Sequence, residues 1–214
     1  MILPIDIHTH KLPAEAGQAI VSCQPHMFAP LQDEWYSVGV HPWYADECEW
    51  QTDSFRCSFE EMVSHPRVLA VGEAGIDHLS RVALDCQTDV FRYQAGVAEA
   101  VCKPLVIHAV KAQAELIQLK RELKPRVSWI IHGFRGKVQL AQDLVRHGLY
   151  LSFGARYQEE TLRQIPLDRL FLETDESEVS IASLYEEAAR LRGLSCSELR
   201  EAVSCNIHRV FFGH

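Results

Sequence analysis

Eight short, apolar, β-branched runs recur along the chain: ILPIDIH, AIVSC, WYSVGV, RVLAVGEAG, PLVIHA, VSWIIHG, LYLSFGA and LFLETD. They fall one every roughly 27 residues, about the length of a strand–helix unit. Runs that are continuously apolar rather than alternating indicate strands covered on both faces, as in a parallel sheet. Between the later runs the pattern turns helical. Residues 53–65 carry Phe55, Phe59, Met62 and Val63 at helical spacing, and Pro66 stops them. Residues 87–101 gather Phe91, Ala95, Ala98 and Val101 on one side, and residues 112–123 do the same with Leu116, Leu119 and Leu123. Residues 138–147 end at Gly148, a C′ glycine, and a last helix is expected after Ser197, from Glu198 to Phe211. Eight strands alternating with helices specify an α/β chain forming a single (β/α)₈ TIM barrel across residues 1–214. Its early units are shortened, because only about ten residues separate His8 from AIVSC, too few for a crossover helix.

Composition narrows the partners. The net charge of -8 provides no global basic field for nucleic acid, so any polyanion has to be held by a local site. Seven cysteines, Cys23, Cys48, Cys57, Cys86, Cys102, Cys196 and Cys205, include no C-x-x-C and read as reduced thiols of a cytoplasmic protein. The first apolar run, Met1 to Ile5, falls short of the roughly 7–15 residues of a signal peptide, and no stretch approaches the roughly 18 that span a bilayer. Neither a membrane association nor an obligate protein partner is expected. G-x-S-x-G and G-x-x-x-x-G-K-[ST] are both absent, which removes the serine-hydrolase elbow and the P-loop.

The chemistry lies in where the ionisable residues fall on this map. With eleven histidines in 214 residues, one H-x-H pair such as His8 and His10 is unremarkable alone, since chance gives roughly half a pair per chain. Residues two apart in a strand share a face, so Asp6, His8 and His10 lie together at the end of the first strand. Glu73 ends the fourth strand, His108 the fifth, His132 the sixth and Asp175 the eighth. In a barrel the C-terminal strand ends form one rim, the rim that carries active sites. Four histidines and two carboxylates on that rim, one carboxylate able to bridge, suit two divalent ions roughly 3.5–4 Å apart.

These residues carry a family resemblance. DIHTH, VGVHP, VGEAGID, QTDVFRYQ, PLVIHA, IIHGFRG, YLSFGA, LFLETD and NIHRVFF run in order along nearly the whole chain and resemble the TatD-type metal-dependent hydrolases of the amidohydrolase superfamily. The resemblance implies a distorted TIM barrel and deoxyribonuclease activity. It assigns His8, His10 and Asp175 to one metal, Glu73 to a bridge, and His108 and His132 to a second metal. It also makes Asp175 and Glu73 the catalytic carboxylates. Imidazole-rich ligation favours Zn²⁺ or Mn²⁺, whereas the family's nucleases are associated with Mg²⁺. The chain departs from the pattern after the fifth strand, where Val110 replaces a common arginine and Lys111 is the nearest cation. It departs again after ETD, where ESEVS adds Glu176 and Glu178 to the rim.

Around the centre, His41 is expected to contact substrate or to cap the turn at Pro42, and Asp77 to orient a ligand or substrate. Asp6 reads as a supporting carboxylate rather than a ligand. Lys111 and Arg135, with Arg156, follow strands five to seven and can hold an anion. Trp43, Tyr44 and Trp50 are read mainly as packing over a loop, with base stacking as the alternative. His26, His65, His78, His147, His208 and His214 read as surface residues, and Asn206, Arg209 and Phe211 as barrel-closing structure. The function expected is hydrolysis of phosphodiesters in DNA or small nucleotides. A metal-dependent amidase, lactonase or ester hydrolase is the second reading, favoured by the acidic DESE segment, and a non-catalytic binding barrel the third.

Overall fold

In the computed structural model, which describes residues 3–213, the eight apolar runs become one all-parallel sheet with its strands in sequential order. Met1 and Ile2, the start of the first apolar run, and His214 lie outside the described residues. The strands are β1 (Asp6–Thr9), β2 (Ala19–Cys23), β3 (Trp35–Val38), β4 (Val68–Asp77), β5 (Leu105–Val110), β6 (Trp129–Ile131), β7 (Tyr150–Phe153) and β8 (Leu170–Leu172). The helices are α1 (Asp53–Ser64), α2 (Leu84–Ala100), α3 (Gln113–Leu123), α4 (Val138–Arg146), α5 (Glu159–Gln164), α6 (Ile181–Arg192) and α7 (Cys196–Ile207). No α-helix separates β1 from β2 or β2 from β3, as the short spacing requires. Among the described residues no helix is long and apolar enough to cross a membrane.

The barrel closes between its last and first strands. Thr9 bridges Asp175, and Asp175 donates its N–H to the His8 carbonyl at 2.9 Å. Asp6, 4% exposed, fastens the same seam. Its Oδ1 accepts from the Thr174 N–H at 3.1 Å and its Oδ2 from the Thr174 hydroxyl at 2.6 Å. Burial pushes the Asp6 carboxyl up to about 7 against the pull of those bonds. Asp6 is therefore a seam residue, in line with the supporting role expected of it.

Side chains from both sides of the sheet fill the core. Ile7, Ile20, Val71, Leu105, Ile107, Ile130, Leu151 and Phe171 are all 0% exposed. Each buried aliphatic or aromatic chain of this size contributes about 1.5–3 kcal/mol. Phe91 of α2 meets Trp129 of β6 edge-on, with ring centroids 5.2 Å apart. The C-terminal motif is structural, as its position suggested. Asn206 donates to the carbonyls of Leu167 and Leu170, Arg209 donates to Asp168, and Phe211 packs on Phe171.

Three helices depart from the sequence reading: α5 and α6 are not among its helices, and α7 starts earlier than expected. After the ETD segment the chain forms α6. The α6 stripe of Leu184, Tyr185, Ala188 and Ala189 is half alanine and reads weakly, although Ser180 caps it by accepting from the Ser183 N–H. The last helix starts at Cys196, two residues before Glu198, because Ser195 and Glu198 form a reciprocal capping box.

Candidate metal centre

β4 and β5 approach so closely that a Cβ at Gly75 would lie 1.9 Å from the His108 carbonyl oxygen. Only glycine fits there. That contact sets His108 beside Glu73, which is 5% exposed and stands at the middle of the rim. The two Glu73 oxygens face different groups. Oε1 is 2.7 Å from His132 Nε2, 3.0 Å from His108 Nδ1 and 3.4 Å from His41 Nε2. Oε2 is 3.5 Å from both His8 Nε2 and His10 Nε2. Asp175 Oδ1 completes the second set, 3.8 Å from His8 Nε2 and 3.5 Å from His10 Nε2.

The donor set fits divalent ions. Separations of 3.5–3.8 Å between imidazole and carboxylate are long for hydrogen bonds. They match the edge of a tetrahedron around an ion with bonds of about 2.0–2.2 Å, roughly 3.3–3.6 Å. His8 is 0% exposed, yet neither of its ring nitrogens has a hydrogen-bond partner. A buried imidazole normally satisfies at least one nitrogen, and a cation beside Nε2 meets that need. Three overlapping groups of ligating atoms, His8–His132–Asp175, His8–His10–Glu73 and His41–Glu73–His108, lie within coordination range of one another.

Electrostatics keep the centre charged. Burial works against the Glu73 carboxylate, but the charge of His132 and the contacts with His10, His108 and His132 overcome it and hold the group well below the usual range. Burial likewise opposes a proton on His132, and the Glu73 and Glu173 carboxylates outweigh it, raising that imidazole well above its ordinary value. Contact with Glu73 raises His10, whereas burial lowers His41.

Outer partners fix which nitrogen each histidine presents. His108 Nε2 faces Asp77 Oδ2 at 3.2 Å, leaving Nδ1 towards Glu73. His132 Nδ1 faces Glu173 Oε1 at 3.4 Å, leaving Nε2 inward. A carboxylate behind a ligating histidine is the usual second partner of a metal site. Asp77 thus stands where it can orient His108. His41 differs from the other two. Its Nδ1 accepts the Trp43 N–H at 3.2 Å, so its neutral ring carries the proton on Nε2 and offers Glu73 a donor rather than a lone pair. It caps the turn, one of the two roles the sequence left open, and its other nitrogen faces Glu73.

Glu173 was missed by the sequence reading. It is 0% exposed, accepts the Gly133 N–H at 2.6 Å and is held ionised by His132 against the cost of burial. Its signal was a glutamate directly after the apolar LFL of the last strand. Gln87 and Gln94 of α2 were also missed. Gln87 clamps the backbone of Asp77, and Gln94 clamps that of Val40 with bonds of 2.8 and 3.0 Å. Two glutamines seven apart on a buried helix face marked them in the sequence.

A cleft of about 890 Å³ opens over the centre, lined by His10, His41, Glu73, Asp77, His108 and His132 together with Lys111 and Arg135. A neighbouring cavity of about 380 Å³ adds Arg156. The expected packing role of the aromatic loop holds only for Trp50. It lies half-buried against Tyr93, with Arg56 over its ring, whereas Trp43 and Tyr44 are 50% and 45% exposed and line the cleft. Of the six histidines read as surface residues, His26, His78 and His208 are exposed. His65 and His147 are half-buried, held by contacts to Arg67 and to Arg121 and Asp143.

Known proteins match both the sequence and the fold. The profile of a family described as "TatD related DNase" matches residues 27–212. An uncharacterized metal-dependent hydrolase, YabD of Bacillus subtilis, is 30% identical over 197 residues, covering 82% of this chain and 76% of the relative. A 3'-5' ssDNA/RNA exonuclease, TatD of Edwardsiella piscicida, is 26% identical over 204 residues, covering 83% and 77%. The crystal structure of the TatD homolog YJJV from Escherichia coli superposes with a TM-score of 0.83 at 20% identity, covering 97% of each chain, and so shares the fold. With an eight-stranded barrel, a histidine–carboxylate rim and a profile match along most of its length, the chain belongs to the TatD related DNase family of metal-dependent hydrolases.

Proposed function

We propose that the protein is a two-ion phosphodiesterase acting on DNA or small nucleotides. The observation that carries this reading is Glu73, whose two oxygens face two separate imidazole groups. His8, His10 and Asp175 with Glu73 Oε2 would hold one ion, and His108 and His132 with Glu73 Oε1 the other. Their imidazole-rich ligation favours Zn²⁺ or Mn²⁺ over Mg²⁺. Ions held there would acidify water and polarise the phosphoryl oxygens. Asp175, its side chain 27% exposed at the cleft, accepts the proton of the attacking water. His41 presents its Nε2–H to an anionic oxygen, and Lys111 and Arg135 flank the substrate's phosphates. Asp77 and Glu173 keep their histidines turned inward.

The nuclease named among the relatives supports this substrate class. In the adjoining cavity the exposed Arg135 and Arg156 stand beside Glu173, Asp175, Glu176 and Glu178, of which Glu178 is ion-paired with Lys11, so any phosphate there is held by the two arginines against an acidic wall. Seven unpaired thiols accord with a cytoplasmic setting. The test is metal analysis of the purified protein followed by assays on single-stranded DNA and on an aryl- and alkyl-ester panel. DNA cleavage that requires bound metal supports the reading. Metal-dependent turnover of esters with none of DNA replaces it with an ester hydrolase.

A further inference from the structure

We propose that Trp43 is a stacking platform for a nucleobase of the substrate strand. The inference rests on the phosphodiesterase reading above and assigns the part of the substrate that the metal-facing residues do not touch.

Nine large apolar side chains are exposed among the described residues, and four of them, Met27, Trp43, Tyr44 and Leu79, line the one cleft over the metal-facing residues. An apolar wall gathered at one site marks a binding surface rather than ordinary surface scatter. Trp43 is the best organised member. Its Nε1–H donates to Asp77 Oδ2 at 2.7 Å, which commits the polar edge of the indole inward. Its ring contacts are to His41 at 4.9 Å and 83°, and to His108 at 6.2 Å and 73°. Both are nearly perpendicular, so neither lies flat on the indole. The ring is therefore fixed at one edge, exposed over half its surface, and beside two histidines of the centre.

A flat apolar partner of indole size fits such a surface. A nucleobase joined to the reacting phosphate would reach Trp43 while Lys111 and Arg135, in the same cleft, meet phosphates. Because every base has a π-face, stacking of this kind tolerates sequence. It gives the enzyme a preference for base-bearing strands without a base code. The hydrogen bond at the ring's edge also lowers the entropic cost of ordering it on binding.

The test compares metal-loaded wild type, Trp43→Ala and Trp43→Phe on a short single-stranded oligonucleotide and on a strand of the same length built from abasic units. Wild type should prefer the base-bearing strand by about 5- to 150-fold in kcat/KM, the range that base–aromatic stacking commands. That preference should collapse towards one in Trp43→Ala and persist in Trp43→Phe, whatever either change does to absolute rates through Asp77. A preference retained in Trp43→Ala overturns the inference and leaves the phosphodiesterase reading standing. Hydrolysis of neither strand by wild type overturns that reading instead. A turnover-free arm uses indole fluorescence. Trp35 and Trp129 are buried and Trp50 is covered by Tyr93, so dAMP should quench wild type and lose that quench in Trp43→Phe. An equal quench in Trp43→Phe also overturns the assignment.

Discussion

Glu73 Oε1 lies 2.7 Å from His132 Nε2, whereas its other oxygen is turned towards His8 and His10, 3.5 Å from each. One carboxylate thus faces two groups of imidazoles supplied by strands distant in sequence, the two ligand sets proposed above. Glu73→Gln keeps the size and removes the charge, and an amide offers only one oxygen. Metal content should fall at both sites together. Loss of a single equivalent, measured by elemental analysis after dialysis, would make Glu73 a terminal ligand.

In the proposed ligand sets the His8 and His10 pair belongs to the Oε2 side. Replacing both with alanine should remove one metal equivalent and leave the barrel folded, because His10 is exposed and the core contacts of β1 come from Ile7. Circular dichroism and metal stoichiometry measured on the same sample check this. A double mutant with unchanged stoichiometry would move the first site elsewhere.

Asp175 reaches the centre only because the barrel closes. Its N–H bonds the His8 carbonyl, and its backbone is held at a φ of 54°, a conformation uncommon outside glycine. Asp175→Asn retains the size and the backbone bonds while weakening the proton acceptor. Hydrolysis should fall by at least about 10²-fold, with little change in thermal midpoint since the side chain packs little core. Near-wild-type turnover with metals bound would take Asp175 out of the mechanism.

Gly75 is the tightest backbone approach beside the site. Gly75→Ala places a methyl into the His108 carbonyl, and neither strand can yield without breaking the β4–β5 ladder. The cost should exceed the ~1 kcal/mol typical of a point mutation. Urea melts reporting a stability within error of wild type would show that the strands can separate freely.

The barrel was legible in the sequence because eight apolar runs at nearly regular spacing leave few other layer arrangements. The rim residues were legible because each closes such a run. Helix α6 and Glu173 escaped because neither carries a periodic apolar signal. Helix α6 buries alanine where a stripe of leucine would have marked it. Glu173 is invisible to a reading that sends charges to the surface, because it is buried through partners on other strands, Gly133 and His132. Trp43 shows the converse. Composition favours packing for an aromatic loop residue, and only the position of Asp77 determines that the ring stays at the cleft wall.

Glu173 yields the sharpest test of how the centre is held. Its Oε1 accepts the Gly133 N–H at 2.6 Å and faces His132 Nδ1 at 3.4 Å, while its buried Oε2 has no hydrogen-bond partner. The carboxylate fixes the loop after β6 and favours the His132 tautomer whose Nε2 points inward. In Glu173→Gln the oxygen can still meet Gly133, but the charge behind His132 is gone and the amide nitrogen takes the unpartnered position. Metal affinity should fall about 10- to 100-fold, the usual effect of losing a ligand's outer partner. The loss should concentrate at the His108–His132 side and leave the His8–His10 equivalent in place. Competition with a chelator, read separately for the two equivalents, checks this. An equal weakening of both equivalents would mean that Glu173 supports the barrel as a whole, and unchanged affinity would mean that His132 keeps its orientation through Glu73 alone.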